Sequence, residues 1–322
     1  MSASAFARHA NLIQEAIGSN AAARSALVAS WCRSADLHRL DPTESNRPKR
    51  LTDLELRFAR QKIEPLIRAA CISLDRLYHA VGGIGCCVLL ADRDGIPVER
   101  RGAVADDETF REWGLWTGTV WSEESEGTNG IGTCLVEQRA VTIHRDQHFY
   151  SRNTLLSCTT APIFDHEGKL AAALDVSSCR ADLTEGFVNL ITMAVGDAAR
   201  RIEAENFRIA FPEARIIVAS TNEKMPNPLL AVDSNDLVIG ATRSARIAFG
   251  ITSESLMRSL PAADLLGDEP GYAGNLRQAE RTVLERTLAN TGGNVTAAAE
   301  ILGISRATLY RKLGKFGLRG AQ

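Results

Sequence analysis

The chain has 322 residues, a formal net charge of −2 and 45% apolar residues. That suffices for two or three domains and excludes a generally basic nucleic-acid coat. No apolar run reaches the roughly 18 residues that a bilayer span needs, and residues 1–8 lack the apolar core of a secretion signal. A cytoplasmic location without membrane partners is expected, with the seven cysteines as reduced thiols rather than a disulfide framework.

Taken in order, residues 6–40 read as helical, with Leu12, Ile13, Ile17, Leu27, Val28, Trp31 and Leu37 as apolar positions, and Asp41-Pro42 ends the run. Residues 45–50 are polar and proline-broken, a loop. Thr52 caps a second long helix through Leu77, with Pro65 as its kink point. The period then changes. Residues 85–91 and 96–101 are strands around a turn at 92–95, and 141–144 is a third. Residues 159–164 and 169–176 form a hairpin around a turn at 165–168. A glycine-rich stretch, 127–132, leads into a helix over 131–137. Thr184 opens a helix to about Phe207, with Phe187, Leu190, Ile191, Ala194, Ala198 and Ile202 at helix-seam spacing. Strands enclosed by helices in this order predict an α+β sensor domain.

Beyond it, residues 228–233 and 237–241 read as strands around a turn, 243–249 as a short helix, and 268–274 as a hinge. Helix 276–289 carries Leu276, Ala279, Val283, Leu284 and Leu288 on one stripe, and Thr291-Gly292-Gly293 stops it. Asn294 caps the next helix, where Val295, Ala298, Ala299 and Leu302 recur at helical spacing. The two alanines let another helix cross close by. Gly303 makes the turn, Ile304 plugs the corner, and Ser305 caps a last helix that buries Leu309 and Leu313. Arg306, Thr308, Tyr310, Arg311, Lys312 and Lys315 are left largely outward. This is a helix-turn-helix shaped for a DNA major groove.

The pattern Asn-x-Thr-x-Ala-Ala-x-x-x-Gly-Ile-x-Arg-x-Thr-Leu-x-x-Lys-Leu-x-Lys-x-Gly runs unbroken from Asn294 to Gly317. It resembles the DNA-binding domain of the factor for inversion stimulation (Fis). That resemblance implies Arg306 and Arg311 as base-reaching residues, with Ser305 beside them. It implies Asn294, Thr296, Thr308, Lys312 and Lys315 at or near phosphate-facing positions, and Tyr310 on the same outward surface. The partner implied is double-stranded DNA, met by a homodimer carrying two recognition helices.

A second resemblance covers most of residues 26–205. Trp121-Ser-Glu-Glu-Ser-Glu-Gly-Thr-Asn-Gly-Ile-Gly-Thr133, His144-Arg-Asp-Gln-His-Phe149, Ser157-Cys-Thr-Thr-Ala-Pro-Ile-Phe-Asp165 and Leu174-Asp-Val-Ser177 resemble the GAF sensor of acetoin-catabolism regulators. These are enhancer-binding proteins that act with sigma-54 polymerase. Ser30-Trp-Cys-Arg-Ser34 and Leu40-Asp-Pro42 fit the segment preceding that sensor. The implied layout is a helical segment over 1–80, a GAF-like antiparallel sheet domain over 81–207, a connector over 208–270 whose strands resemble the front half of a PAS domain, and an all-α Fis-type domain over 271–322. A plain structured hairpin fits the connector as well. Such regulators normally carry an ATPase between sensor and Fis-type domain. The chain has no Gly-x-x-x-x-Gly-Lys-Ser/Thr motif, and its connector is too short for one. The resemblance implies a regulator that binds DNA without hydrolysing ATP, with RNA polymerase as a further partner and its sign of regulation open.

Candidate ligand residues follow from the GAF likeness. Trp113, Trp116 and Trp121 border the implied cavity, with Asn129, Cys134, His144 and Cys158, and suit a small organic effector. The glycine-rich 127–132 lacks a phosphate-binding pattern. His144 and His148 lack a third ligand, so no metal, cofactor or catalytic residue is expected. The rival reading is a thiol redox sensor or GAF-fold reductase using Cys134 or Cys158.

Overall fold

In a computed structural model, residues 3–19, 21–180, 184–219, 228–258, 260–266 and 276–318 are described. The expected hinge at 268–274 lies outside them. The chain divides into two compact units, Met1–Pro261 and Ala262–Gln322.

The first expected helix is two. Helix α1 (Ala3–Gly18) ends before a short turn, and α2 (Ala26–Cys32) restarts where Ser25 accepts the Val28 N–H, running on into a π-helical turn over Arg33–Leu37. The second expected helix is also split. In α3 (Asp53–Lys62) the Thr52 hydroxyl accepts the Glu55 N–H, and the Glu55 carboxylate accepts the Thr52 N–H. The break falls at Ile63 (φ −120°), and α4 (Glu64–Val81) begins with Pro65 in its first turn. Proline has no N–H to continue the ladder, so there it starts a new helix instead of kinking the old one.

Strands β1 (Cys86–Asp92) and β2 (Pro97–Arg101) are followed by the short helices α5 (Asp107–Glu112) and α6 (Glu123–Glu126). Then come α7 (Gly130–Glu137), β3 (Val141–His144), β4 (Ser157–Phe164), β5 (Leu170–Ser178) and the long α8 (Glu185–Ala210). The five strands form one antiparallel sheet in the order β2-β1-β5-β4-β3. Both its faces are covered, which is why β1 reads as a continuous apolar run and is buried throughout. On one face Val88, Leu90, Ile163, Leu174 and Val176 pack under Leu74 and Leu77 of α4 and Ile191, Val195, Ala198 and Ile202 of α8. Ile191, Ala198 and Ile202 of the expected seam are therefore buried against the chain's own sheet, with half-buried Ala194 packed beside them, and Phe187 and Leu190 stay exposed with Met193. On the other face Cys87, Leu89, Cys158 and Ala173 meet Phe110, Leu115, Trp121, Ile131 and Cys134. The alternation is the strand period of two.

The connector carries β6 (Arg215–Val218), which the sequence reading missed, then β7 (Leu229–Val232), β8 (Leu237–Ala241), α9 (Arg243–Phe249), α10 (Ser253–Met257) and β9 (Leu260–Pro261). Its sheet runs β6-β7-β8-β9. Phe207 of α8 packs with Leu229 and Ala231, against Phe211 and Ile216, so this sheet grows directly off the end of the sensor's last helix.

The second unit holds α11 (Ala262–Leu266), α12 (Leu276–Asn290), α13 (Val295–Ile301) and α14 (Arg306–Phe316). Leu284, Leu288, Val295, Ala298, Ala299, Leu309 and Leu313 form its core, with Leu302, Ile304, Phe316 and Leu318 packed against them. Val283, expected on the buried stripe of α12, is 51% exposed.

Candidate nucleic-acid interface and sensor site

The interface is set by its caps. Asn294 Oδ1 accepts the N–H groups of Thr296 and Ala297 at 3.0 and 3.2 Å, which starts α13. Gly303 takes φ +65° at the turn, and Ser305 Oγ accepts the Thr308 N–H at 3.2 Å to start α14. With Leu309 and Leu313 anchored in the core, Arg306, Ala307, Tyr310, Arg311, Gly314 and Lys315 line the exposed side of α14, and Ser305 is exposed at its N-terminal end. Thr296 and Asn294 are exposed on α13 and its cap, while Thr308 is half-buried, its hydroxyl 2.9 Å from that of Ser305. The nine expected DNA-facing residues thus belong to one small unit.

One residue of this surface was missed. Glu280 of α12 binds the Lys312 ammonium through Oε1, and its Oε2 lies 3.7 Å from Lys315 Nζ. The Lys312 hydrogen bond is the main reason the Glu280 carboxyl is held below its usual range. Two phosphate-facing candidates therefore already hold an internal anion. No spacing signal could have found Glu280, which lies 32 residues before Lys312.

The seven expected effector residues do not share one cavity among the described residues. Asn129 is a helix cap: its Oδ1 accepts the Gly132 N–H at 2.9 Å. Cys134 and Cys158 are closed in the core, where burial pushes both thiols well up. A reactive cysteine needs the thiolate, so neither position has the environment of a nucleophile. Trp121 is buried and donates from Nε1 to the Gly114 carbonyl at 2.9 Å. Trp116 lies 4.2 Å from the Arg100 guanidinium and 4.0 Å from that of Arg111. His144 Nδ1 is 2.9 Å from Ser157 Oγ. Trp113 borders an open cleft of about 370 Å³, with residues that sequence reasoning did not single out.

The glycine-rich stretch serves packing. Gly127 has φ +60° and ψ −156°, a conformation that essentially only glycine adopts. A Cβ on Gly130 would sit 2.6 Å from Cys158 Cβ and 3.0 Å from Asp175 Oδ1. Asp175 is fully buried in mid-sheet, accepting from Thr160 and Ser177 hydroxyls at 2.5 Å each, and burial pushes it up to about 6. Ser177 Oγ is also 3.1 Å from Cys158 Sγ, which lies 3.5 Å from Nε2 of buried His148. Burial drives His148 down to about 4, so it sits neutral rather than as a charged acid.

The motif Ser30-Trp-Cys-Arg-Ser34 meets the 121–133 motif directly. Ser30 Oγ lies 2.7 Å from Thr128 Oγ1 and donates to Glu123 Oε2 at 3.1 Å. Arg33 donates from Nε to Glu123 Oε1 at 2.6 Å and from Nη2 to Glu137 at 2.9 Å. Trp31 Nε1 donates to the Gln147 carbonyl at 2.9 Å. The Glu123 side chain is 1% exposed. A buried carboxylate of this kind requires a partner of opposite charge, and the N-terminal segment supplies it.

Comparison with known proteins agrees with both halves. Residues 65–202 match the GAF domain family, and 275–316 match the family described as bacterial regulatory protein, Fis family. The chain thus joins a GAF domain to a Fis-type helix-turn-helix. It is 32% identical over 242 residues to the acetoin catabolism regulatory protein of Cupriavidus necator, covering 74% of this chain and 36% of that protein. It is 26% identical over 196 residues to the acetoin dehydrogenase operon transcriptional activator AcoR of Bacillus subtilis, covering 60% and 32%. The matched part thus spans about a third of these relatives. Among solved structures, the crystal structure of the E. coli DhaR(N)-DhaL complex superposes with a TM-score of 0.50 at 14% identity, over 80% of this chain and 85% of that one. That likeness extends to the fold. Among the described residues no helix is long and apolar enough to cross a membrane.

Proposed function

We propose that the chain is a sequence-specific DNA-binding transcription regulator of the cytoplasm, controlled by a small organic effector in its GAF-containing unit. The observation that carries this reading is the exposed face of α14, where Arg306, Arg311 and Lys315 stand opposite an anchored apolar side. Arginines on a capped helix of this geometry read guanine edges in a major groove. The names of the relatives support control of a small-metabolite catabolic operon. The protein acts as a homodimer on a near-palindromic operator, with Phe187, Leu190 and Met193 of α8 as apolar surface for the partner copy. It does so without ATP hydrolysis of its own, since the residues between the GAF and Fis-type regions contain no phosphate-binding loop. The connector serves as a PAS-like relay, and RNA polymerase is a further candidate partner.

The test maps genomic sites bound by the intact chain, then titrates the recovered sequence and a scrambled duplex. A preference for the recovered sequence, lost on deleting 276–318, supports the reading; equal affinity for both duplexes refutes it.

A further inference from the structure

The 370 Å³ cleft that Trp113 borders is built where three pieces of chain meet. Arg47 and Pro48 come from the loop after the N-terminal helical segment. Trp113 follows α5. Arg152, Asn153 and Leu155 come from the turn before β4. Its volume is at the small end of the roughly 300–1,000 Å³ typical of ligand pockets.

Two of its polar groups, Arg152 and Asn153, are held in advance. Arg152 donates from Nη2 to buried Glu126 at 2.6 Å and from Nη1 to the Glu44 carbonyl at 3.0 Å, and its guanidinium lies 3.8 Å from the Tyr150 ring. Its Nε is buried with no acceptor among the described residues. Asn153 is 2% exposed, and its side-chain amide makes a long 3.5 Å contact to Glu126. Arg47 is exposed at the rim and has no carboxylate within ion-pair distance among the described residues. Against these donors stands one lining acid, exposed Glu112. Trp113, Pro48 and Leu155 supply apolar surface beside them.

From this arrangement we propose that the cleft is the effector site and that it takes a small carboxylate anion with a short apolar body. The carboxylate oxygens take the Arg47 guanidinium and the Asn153 amide, and the apolar body lies on the Trp113 ring. A donor-rich lining selects acceptors, and arginine gives carboxylates charge-assisted hydrogen bonds that alcohols and amines cannot match. Because Arg47 and Pro48 precede the sensor in the chain, the ligand ties the N-terminal segment to it. The inference rests on the effector-controlled reading above.

The experiment is calorimetric titration of the intact chain with butanoate, 2-oxobutanoate and 3-hydroxybutanoate. Neutral and cationic arms use acetoin, butane-2,3-diol and butylamine. Binding by at least one carboxylate, weakened about tenfold or more by Arg47→Ala and abolished by Leu155→Trp, is the expected result. Leu155 is 42% exposed, so a larger side chain fills the cleft without entering the core, and unchanged melting temperatures for both variants verify folding. Carboxylate binding indifferent to both variants overturns the site. Acetoin or the diol binding while no carboxylate does overturns the ligand class. DNA affinity is measured separately with and without the bound carboxylate: a site that binds as expected but leaves DNA affinity unchanged overturns effector control and leaves the site standing.

Discussion

Replacing Glu280 by glutamine should make the protein bind DNA more tightly and with greater salt dependence. Glu280 holds Lys312 and lies 3.7 Å from Lys315, both candidates for phosphate contacts. Each lysine that leaves the carboxylate for a phosphate adds one neutralised charge. One such contact steepens the slope of log affinity against log salt by about 0.9, so full release of both lysines gives at most about 1.8. Over a fourfold rise in salt, one extra contact corresponds to a further loss of about 3- to 4-fold. The gain at low salt should be the same on operator and scrambled DNA, because phosphates carry no sequence. Lowering pH is no substitute for the substitution. The Glu280 carboxyl is held below its usual value by Lys312, so the interaction is complete above the ordinary carboxylate range and is lost only as pH falls through the lower folded value. Fluorescence anisotropy at several salt concentrations, on both duplexes, measures the slope. An unchanged slope for Glu280→Gln would refute the idea that Glu280 competes with phosphate.

Three further outcomes follow from particular contacts. Arg306→Ala should lower operator binding about 5- to 100-fold while scrambled DNA is affected much less; equal losses on both would remove its role as a base reader. Arg33→Met leaves buried Glu123 without its main cation and should destabilise the Met1–Pro261 unit by about 3 kcal/mol, read from denaturant midpoints. Adding Glu123→Gln to Arg33→Met should recover part of that loss, and no recovery would show that the charge is not the cause. Asp175→Asn tests the buried carboxyl that burial pushes up to about 6. A raised carboxyl pKa contributes stability that is full below its ordinary value near 3.8 and lost as pH rises through about 6. The variant should therefore lose less stability than the parent between pH 4 and pH 7, and parallel melting curves across that window would contradict this.

What the sequence disclosed was mostly local. Asn294, Ser305 and Thr52 cap helices because a side-chain oxygen two or three residues from a free N–H needs no distant partner. The 157–178 hairpin was legible for the same reason, its turn and alternation being contiguous. The break at Ile63 was missed because apolar spacing continues through it, and it comes from the proline two residues on. Ile191, Ala198 and Ile202 of α8 were read as part of a helix seam because periodicity marks a buried stripe without saying what buries it. Strand β6 is short, and Arg215 and Val218 are exposed, so it carries no alternating signal. The cleft at Trp113 draws its walls from residues about 40 to 65 positions apart on either side, a distance at which single-sequence reading has no purchase. Trp116, Cys134 and Cys158 had the right residue types for a pocket but are committed to arginine stacking and to core packing.

The contact between Arg33 and Glu123 also bears on how such a sensor can be passed between genes. The GAF match starts at residue 65, yet the cation for its buried acid, and the hydroxyls of Ser30 and Ser34 near Thr128, lie outside that boundary. A shuffling event cut at residue 65 would deliver a sheet with a stranded carboxylate beneath its glycine-rich loop. The folding unit is therefore longer than the matched domain, and the helices ahead of residue 65 belong to it.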